Sequence, residues 1–281
     1  ADLQRLVKLM SERDAEPLGE LGNALEKWNR RGPLVFLAAE ADPFSKSGGL
    51  ASVVADLPRE LAAEGEETIV ITPKYRHGTH KAVAKMENAL QTYEATYSGK
   101  NISFYLDGVE YEVGVHTAMV DGTTYYLLDH HEFFDGLYWG YTSAEKIRRR
   151  VAFARACCEV ITTFEIYPLF VITNDAFAGL FGPIMKRDPR YIVHPAFERT
   201  NIIHLIHNGG WEYFDAFHRF ESGRDLYSVL GLPGGNEWLL TDPRGGERIN
   251  CMAAGIRTAD RVFTVSPTYA KQIQERCDGL E

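Results

Sequence analysis

The chain has 281 residues, of which 45% are hydrophobic and 25% charged, and its formal net charge is −9. This acidic balance argues against nucleic acid or an anionic membrane as the main partner. No apolar run reaches the length of a membrane span, and the first ten residues lack the apolar core of a signal peptide. The four cysteines form no C-x-x-C pair, so we expect reduced thiols in a cytoplasmic protein.

Residues 1–32 have the pattern of a charged, amphipathic helical segment. Leu18, Leu21, Leu25 and Trp28 recur at spacings of three and four residues, which places them on one helix face. We therefore predict an N-terminal helical extension that docks on the domain that follows. A connector from an upstream region is the alternative.

From residue 33 onward, short apolar runs alternate with helical patterns. Near-continuous apolar runs of this length are typical of strands buried on both faces of a parallel sheet. The alternation predicts one α/β domain over 33–281, a Rossmann-like doubly wound parallel sheet. The predicted strands are 34–39, 69–72, 170–173, 202–206 and 262–265, and the predicted helices are 49–64, 144–164, 176–186, 249–259 and 268–274.

Three stretches interrupt this alternation. In the segment 101–128, Asp107-Gly108 and Asp121-Gly122 each separate two β-rich runs, which predicts a β-hairpin elaboration of the sheet. Residues 187–200 and 219–248 are rich in Pro, Gly and charged residues, and we expect them to form long surface loops.

The first predicted strand leads into Lys46-Ser47-Gly48-Gly49, which opens a helix. Two glycines allow a ligand to approach the backbone closely, and the free N–H groups of a first helical turn favour an anion. Lys46 adds a positive charge that suits a phosphate. A plain strand-to-helix turn is the alternative. Since no G-x-G-x-x-G follows a predicted strand, an NAD-dependent oxidoreductase is disfavoured and we expect no cofactor.

Four blocks in the same order give the chain a family resemblance. The opening block, and three later ones, resemble the catalytic region of bacterial glycogen synthases and plant starch synthases. The blocks are Glu40, Pro43, Lys46 and Gly48-Gly49-Leu50; Asn174-Asp175 with Gly179-Leu180; His207-Asn208; and the run INCMAAGIRTADRVFTVSPTYAKQI, which contains Asn250.

The resemblance implies the N-terminal lobe of a two-domain (GT-B type) glycosyltransferase. Such enzymes transfer glucose from a nucleoside-diphosphate glucose, with ADP-glucose favoured here, to an α-1,4-glucan with retention and without a metal. The N-terminal lobe mainly holds the glucan, and the C-terminal lobe binds most of the nucleotide sugar. We expect that lobe to lie beyond residue 281, because 277–281 resembles the start of the family's next motif, and we expect the isolated chain to be inactive.

The resemblance also implies the site residues. Lys46 would bind phosphate with the amides of Gly48 and Gly49, while Asp175, His207 and Asn250 would hold sugar hydroxyls and loop geometry. The full set is Lys46, Asp175 and His207 as catalytic residues and Gly48, Gly49, Asn208, Asn250, Tyr138 and Arg150 as substrate-binding residues.

Two further clusters have competing interpretations. His130-His131-Glu132 could suggest a metal site, but neighbours in an extended segment point to opposite faces, so we expect none. Lys146, Arg148 and Arg149 begin a long predicted helix together with Arg150, and we interpret these first three as solvated.

Several positions depart from the family pattern. Phe177 stands where the family has a histidine that contacts the transferred sugar, and a phenyl ring forms no such hydrogen bond. Ser52 replaces an acidic residue, Ala253 replaces a lysine, and Glu212 lies in an altered loop. Two hypotheses stay open: a transferase with a reshaped pocket, or a degenerate, non-catalytic module that binds a glucan or a nucleotide sugar.

Overall fold

A computed structural model describes residues 32–76, 85–138 and 140–276. The predicted helix with Leu18 and Trp28, and the motif at 277–281, lie outside the described residues. From Pro33 onward the chain forms one compact unit.

One large sheet organises the fold, in the order β12-β7-β6-β1-β2-β5-β4-β3. Neighbours from β12 to β5 pair in parallel, and β4 and β3 continue the sheet in antiparallel pairing. The predicted parallel sheet is thereby confirmed. The strands are β1 (Leu34–Leu37), β2 (Thr68–Pro73), β3 (Thr96–Leu106), β4 (Val109–Val120), β5 (Thr123–Asp129), β6 (Phe170–Asn174), β7 (Asn201–Ile206), β8 (Ala216–His218), β9 (Phe220–Glu221), β10 (Arg224–Asp225), β11 (Arg248–Asn250) and β12 (Arg261–Thr264).

Helices connect the parallel strands. None of those described is both long and apolar enough to cross a membrane. They are α1 (Gly49–Ala63), α2 (Met86–Thr92), α3 (Ser143–Thr163), α4 (Asp175–Ala178), α5 (Phe181–Arg187), α6 (Cys251–Thr258) and α7 (Pro267–Arg276), with 3₁₀ turns at Pro195–Phe197, Trp211–Tyr213, Leu226–Leu230 and Glu237–Leu239.

Both predicted hairpins are confirmed. Leu106 pairs with Val109, and Val120 pairs with Thr123, so each loop has two residues. The Asp-Gly pair in each loop has positive φ at both positions, which is the geometry of the turns that match strand twist. Strand β5 then pairs with β2 and joins the hairpins to the parallel sheet.

The predicted helix 176–186 is two helices, α4 and α5. Gly179, between them, lies against the start of α6, where an added Cβ would collide with the carbonyl oxygen of Cys251. The predicted helix 249–259 also begins later, at Cys251, because β11 pairs with β8. Asn250 ends that strand and caps α6, since its Oδ1 accepts the N–H of Ala253 at 2.9 Å.

The two predicted surface loops are largely exposed, and buried residues anchor them to the domain. Tyr191, Leu226 and Leu239 are buried. Asp188 forms a buried ion pair with Arg155 of α3 at 2.8 Å. Pro and Gly content thus indicated the turns, but not the side chains that anchor these loops.

Helix α3 is the central helix of the domain, and its cations are not all solvated as predicted. Arg149 is 5% exposed, and its Nε donates to the carbonyl of Phe133 at 2.7 Å. Arg148 forms ion pairs with Asp107 and Glu132. Of the three, only Lys146 has a side chain that forms no hydrogen bond or ion pair with the described residues.

Strand β12 is the last strand of the sheet within the described residues. Three apolar side chains at this margin remain exposed: Val262, Phe263 and Val265.

Candidate functional site

A cavity of about 480 Å³ lies at the carboxyl ends of β1 and β6. Chain order reverses at this point, because β2 follows on one side of β1 while β6, β7 and β12 lie on the other. Open α/β sheets bind ligands at such a switch point. Six of the nine predicted site residues line the cavity: Gly48, Gly49, Tyr138, Arg150, Asp175 and Asn208.

Glu40 holds the loop that opens α1 through a hydrogen bond to its backbone. This side chain is 2% exposed, and its carboxylate accepts the N–H of Ser47. Gly48 is the N-cap of α1 in an extended conformation. Its amide and that of Gly49 donate to no described residue, so they are available to an anion.

Lys46 is not among the residues that line the cavity. Its Nζ lies 2.8 Å from Asp42, in an ion pair whose members are 37% and 30% exposed. The pair raises the pKa of Lys46, which therefore stays charged. Because the pair is exposed, a phosphate could compete for the ammonium group at little cost.

Asp175 begins α4 with φ of 52°, in the left-handed region that aspartate tolerates better than most residues. Its Oδ1 accepts the backbone N–H of His207 at 2.7 Å and that of Asn208 at 3.4 Å. Burial raises the pKa of Asp175 to about 6, although these two hydrogen bonds act to lower it. Asp175 thus links the ends of β6 and β7 and also lines the cavity.

His207 is more buried than the sequence suggested and is not part of the cavity lining. Its Nε2 lies 2.8 Å from Oδ1 of Asn174, so Nε2 carries the proton and donates. Burial lowers its pKa to about 4, and the ring is neutral near pH 7. The Nδ2 of Asn174 donates to the carbonyl of Leu37 at 3.1 Å. Asn174 thereby connects His207 to the end of β1.

Phe177 belongs to a packed stack. Its ring contacts that of Phe153 at 4.8 Å between centroids, and the guanidinium of Arg150 lies 4.7 Å above it. Nε of Arg150 donates to Asp215 at 2.7 Å. A cation over an aromatic face is favourable, especially when desolvated, so Phe177 and Arg150 stabilise each other.

Three further lining residues were missed or underestimated. Glu40 entered only as part of the opening motif, yet it also accepts the hydroxyl of Tyr138 at 3.3 Å and so joins two loops of the site. Glu212 and Lys146 line this cavity and a second one of about 290 Å³ beside it. An acidic residue that directly follows a predicted buried strand and precedes a pair of glycines is a sequence signal that could have identified Glu40.

Asn250 has the N-cap role described above and is fully buried. The described residues contain no group of three or more His, Cys, Asp or Glu side chains that could hold a metal ion. We expected the side chains of His130 and His131 to point to opposite faces. This expectation is wrong, because their rings stack with 5.0 Å between the ring centroids. The cavity has free backbone amides and cationic side chains that can bind an anion. It also has amide and hydroxyl side chains that can bind the hydroxyl groups of a polyol.

Comparisons with known proteins show which proteins this chain resembles. A family model described as the starch synthase catalytic domain matches residues 33–281. The chain is 31% identical over 254 residues to glycogen synthase of Clostridioides difficile (strain 630), covering 87% of this chain and 49% of that protein. It is 29% identical over 252 residues to starch synthase 2 of Arabidopsis thaliana, covering 86% of this chain and 29% of that protein.

A solved structure is also similar. The catalytic domain of starch synthase IV from Arabidopsis thaliana, bound to ADP and acarbose, superposes with a TM-score of 0.70 at 25% identity. The match covers 89% of this chain and 48% of that chain. The chain thus spans about half the length of the bacterial relatives that it matches.

Proposed function

Because the chain belongs to the starch synthase catalytic domain family, we propose that it serves glucosyl transfer to an α-glucan. The donor is a nucleoside-diphosphate glucose, with ADP-glucose favoured, and the anomeric configuration is retained. The chain supplies the lobe that holds the glucan and one side of the donor. A C-terminal lobe of the same protein is the partner that binds the rest of the nucleotide sugar.

The observation that carries this proposal is the cavity at the switch point of the sheet. It brings the free amides of Gly48 and Gly49 into one space with Asp175 and Asn208. Amides at a helix start favour a diphosphate. Carboxylate and amide side chains suit sugar hydroxyls. Because the cavity contains both kinds of group, it fits a sugar attached to a phosphate better than it fits a sugar alone or a phosphate alone.

The roles follow from the contacts. The amides of Gly48 and Gly49 stabilise negative charge as the diphosphate leaves, and Lys46 joins them when phosphate displaces Asp42. Asn208 and Tyr138 contact hydroxyl groups. Asp175 fixes the loop after β7 through its bonds to backbone amides, so His207 acts through that loop rather than by touching the sugar.

We further propose that residues 33–281 act as one domain within a longer protein in a reducing compartment. Cys157, Cys158 and Cys251 are buried free thiols, and burial raises the pKa of each. Buried thiols of this kind are inert. The isolated chain should bind ligand without turning it over.

A non-catalytic glucan- or nucleotide-sugar-binding module is the second candidate, and Phe177 favours it. At the family's histidine position this ring forms no hydrogen bond and packs beneath Arg150. Loss of a transition-state hydrogen bond of this kind commonly lowers the rate by about two to three orders of magnitude.

The test is incorporation of labelled glucose into a maltooligosaccharide by a full-length protein that contains this domain, with ADP-glucose and UDP-glucose in parallel. Incorporation above that of a Gly48→Val control supports transfer. No incorporation, with maltooligosaccharide still bound by the 281-residue chain, supports the binding module. Turnover by the 281-residue chain alone would contradict the proposed need for a second lobe.

A further inference from the structure

A second cavity, of about 290 Å³, lies beside the candidate site. Lys146, Glu212 and Asp215 line both cavities, so the two spaces share a wall. Pockets for drug-sized ligands have volumes of about 300–1,000 Å³. The second cavity is thus large enough for one small ring, but not for a chain of several.

Most polar side chains of the second cavity have no partner among the residues that the structure describes. Asp215 is the exception, since it accepts from Nε of Arg150 at 2.7 Å. The side chains that form no hydrogen bond or ion pair with a described residue are those of Tyr141, Ser143, Lys146, Glu212, His218 and Arg248. Just outside the cavity, by contrast, Arg219 forms a bidentate pair with Asp225. The lining groups are therefore available to a ligand.

The charges that line the second cavity balance. Its two cations are Lys146 and Arg248, and its two carboxylates are Glu212 and Asp215. Neither cation forms an ion pair with either carboxylate within the described ranges, although all four line one small space. An anion or a cation bound there would meet two charges of its own sign. A neutral ligand with hydroxyl groups, each of which both donates and accepts, satisfies both kinds of group.

Tyr141 adds an aromatic ring on a fixed backbone. Its side chain lines the second cavity and is 86% exposed. The N–H of Tyr141 donates to Oε2 of Glu145 at 2.7 Å, and the next residue, Thr142, caps α3. Glu221 accepts the N–H of Ser143 at 3.1 Å. An aromatic ring held in this way can pack against the apolar face of a sugar ring at little cost in ordering the loop.

We propose that the second cavity binds the next glucosyl unit of the glucan, beyond the unit that lies in the first cavity. The inference rests on the proposed function in taking the ligand to be an α-glucan. Lys146 and Glu212 contact both units because they line both cavities, while Tyr141 and Arg248 contact only the second unit. Glu212 belongs to the loop that departs from the family pattern. The second cavity therefore gives this chain its own selection for acceptors of two units or more.

The test is calorimetric titration of the 281-residue chain at pH 7 with glucose and maltose. Maltose should bind about tenfold more tightly than glucose, because one or two added hydrogen bonds are worth about that factor. The double variant Tyr141→Ala, Arg248→Gln should lower this preference to about threefold or less and leave glucose binding unchanged. Equal affinity for the two sugars, no binding of maltose, or a preference that survives in the double variant overturns the inference.

Two single variants are matched controls. Tyr141→Phe keeps the ring without the hydroxyl group and should retain most of the preference for maltose. Tyr105→Ala removes another exposed tyrosine, which lies on β3 and lines neither cavity, and the preference should be unchanged. A loss of preference in Tyr105→Ala as large as that in the double variant would overturn the inference.

The outcomes separate this inference from the proposed function. ADP binding by the same chain and glucose incorporation by a full-length protein test the proposed function. A preference for maltose that the double variant loses, without incorporation, supports the second cavity and counts against transfer. Incorporation together with equal affinity for glucose and maltose supports transfer and overturns the inference alone.

Discussion

The carboxylate of Asp175 accepts the backbone N–H of His207 at 2.7 Å, and this bond joins the ends of two adjacent parallel strands. The two residues were expected to act through their side chains. In the structure the carboxylate of Asp175 holds the backbone of the next loop, while the ring of His207 bonds to Asn174. Hydrogen bonds to residues outside the cavity lining therefore organise the site as much as the groups that line it.

Asp175→Asn should change the pH dependence of stability. Burial raises the pKa of Asp175 to about 6 from an ordinary value of 3.8. The folded state thus binds this proton more tightly, so the stability it contributes is present at low pH and is lost as pH rises from about 4 to about 6. Since asparagine keeps an acceptor at Oδ1 without the charge, the variant should gain on the order of 2 kcal/mol relative to the unchanged protein between pH 4 and pH 7.5.

Urea unfolding at these two pH values measures that difference. His204 and His207, whose pKa values burial lowers, titrate in both proteins and cancel in the comparison. Asp56→Asn, at an exposed ion pair with Arg59, is the matched control and should show little change. A constant difference between Asp175→Asn and the unchanged protein would contradict the buried carboxylate.

Glu40→Gln should loosen the loop that opens α1. The carboxylate accepts from Ser47 N–H with one oxygen and from the Tyr138 hydroxyl with the other. Glutamine has one acceptor oxygen, so one donor loses its partner, at about 1–3 kcal/mol. We expect ADP binding to weaken about tenfold, as followed by calorimetry. Glu60→Gln, whose carboxylate is 69% exposed, should leave binding unchanged; equal effects from both variants would refute this role.

Gly179→Ala should destabilise the domain, although Gly179 has an ordinary helical conformation. The added methyl would meet the backbone of Cys251, which cannot rotate away as a side chain could. Overpacking of this kind costs about 1–3 kcal/mol or more. Gly49→Ala, where no atom lies within 4 Å of the new Cβ, serves as the control. Thermal unfolding of the two variants side by side decides the matter, and similar midpoints would rule out the close contact.

Phe177→His should not restore a family-like active site by itself. The imidazole would lose the packing of Phe177 on Phe153 and would lie beside the buried guanidinium of Arg150. We expect a loss of about 1–3 kcal/mol in unfolding free energy. We also expect no more than a few-fold change in glucosyl transfer by a full-length protein. A hundredfold gain in transfer would show instead that the pocket needs only this side chain.

The parallel sheet could be predicted because short, near-continuous apolar runs leave a strong pattern. The run at 262–265 was expected to be buried on both faces, but it forms the exposed strand β12 at the margin of the sheet. Each of the five predicted parallel-sheet strands lies within two residues of its observed bounds at both ends. Both hairpins followed from Asp-Gly pairs whose conformational demand is local. Such features depend on nearest neighbours along the chain, which the sequence displays directly.

The site was harder to predict because its contacts join distant segments. Glu40 meets Tyr138 across 98 positions, and Arg150 meets Asp215 across 65. The cations of α3 were expected to be solvated from their charge, but Arg149 finds carbonyl acceptors in the loop before the helix. The close approach of Gly179 to α6 likewise has no local signal. Lys46 and Asn250 were identified as motif residues that bind ligand. In the structure Lys46 pairs with Asp42, and Asn250 caps the start of α6.

The margin of the sheet at β12 has a practical consequence for work with this chain. Val262 and Phe263 are exposed on the last described strand. A margin with free backbone groups and apolar side chains is a template for pairing with another molecule. Concentrated preparations of the 281-residue chain should therefore be checked for self-association before any binding isotherm is interpreted. Val262→Lys is the first change to make if it occurs.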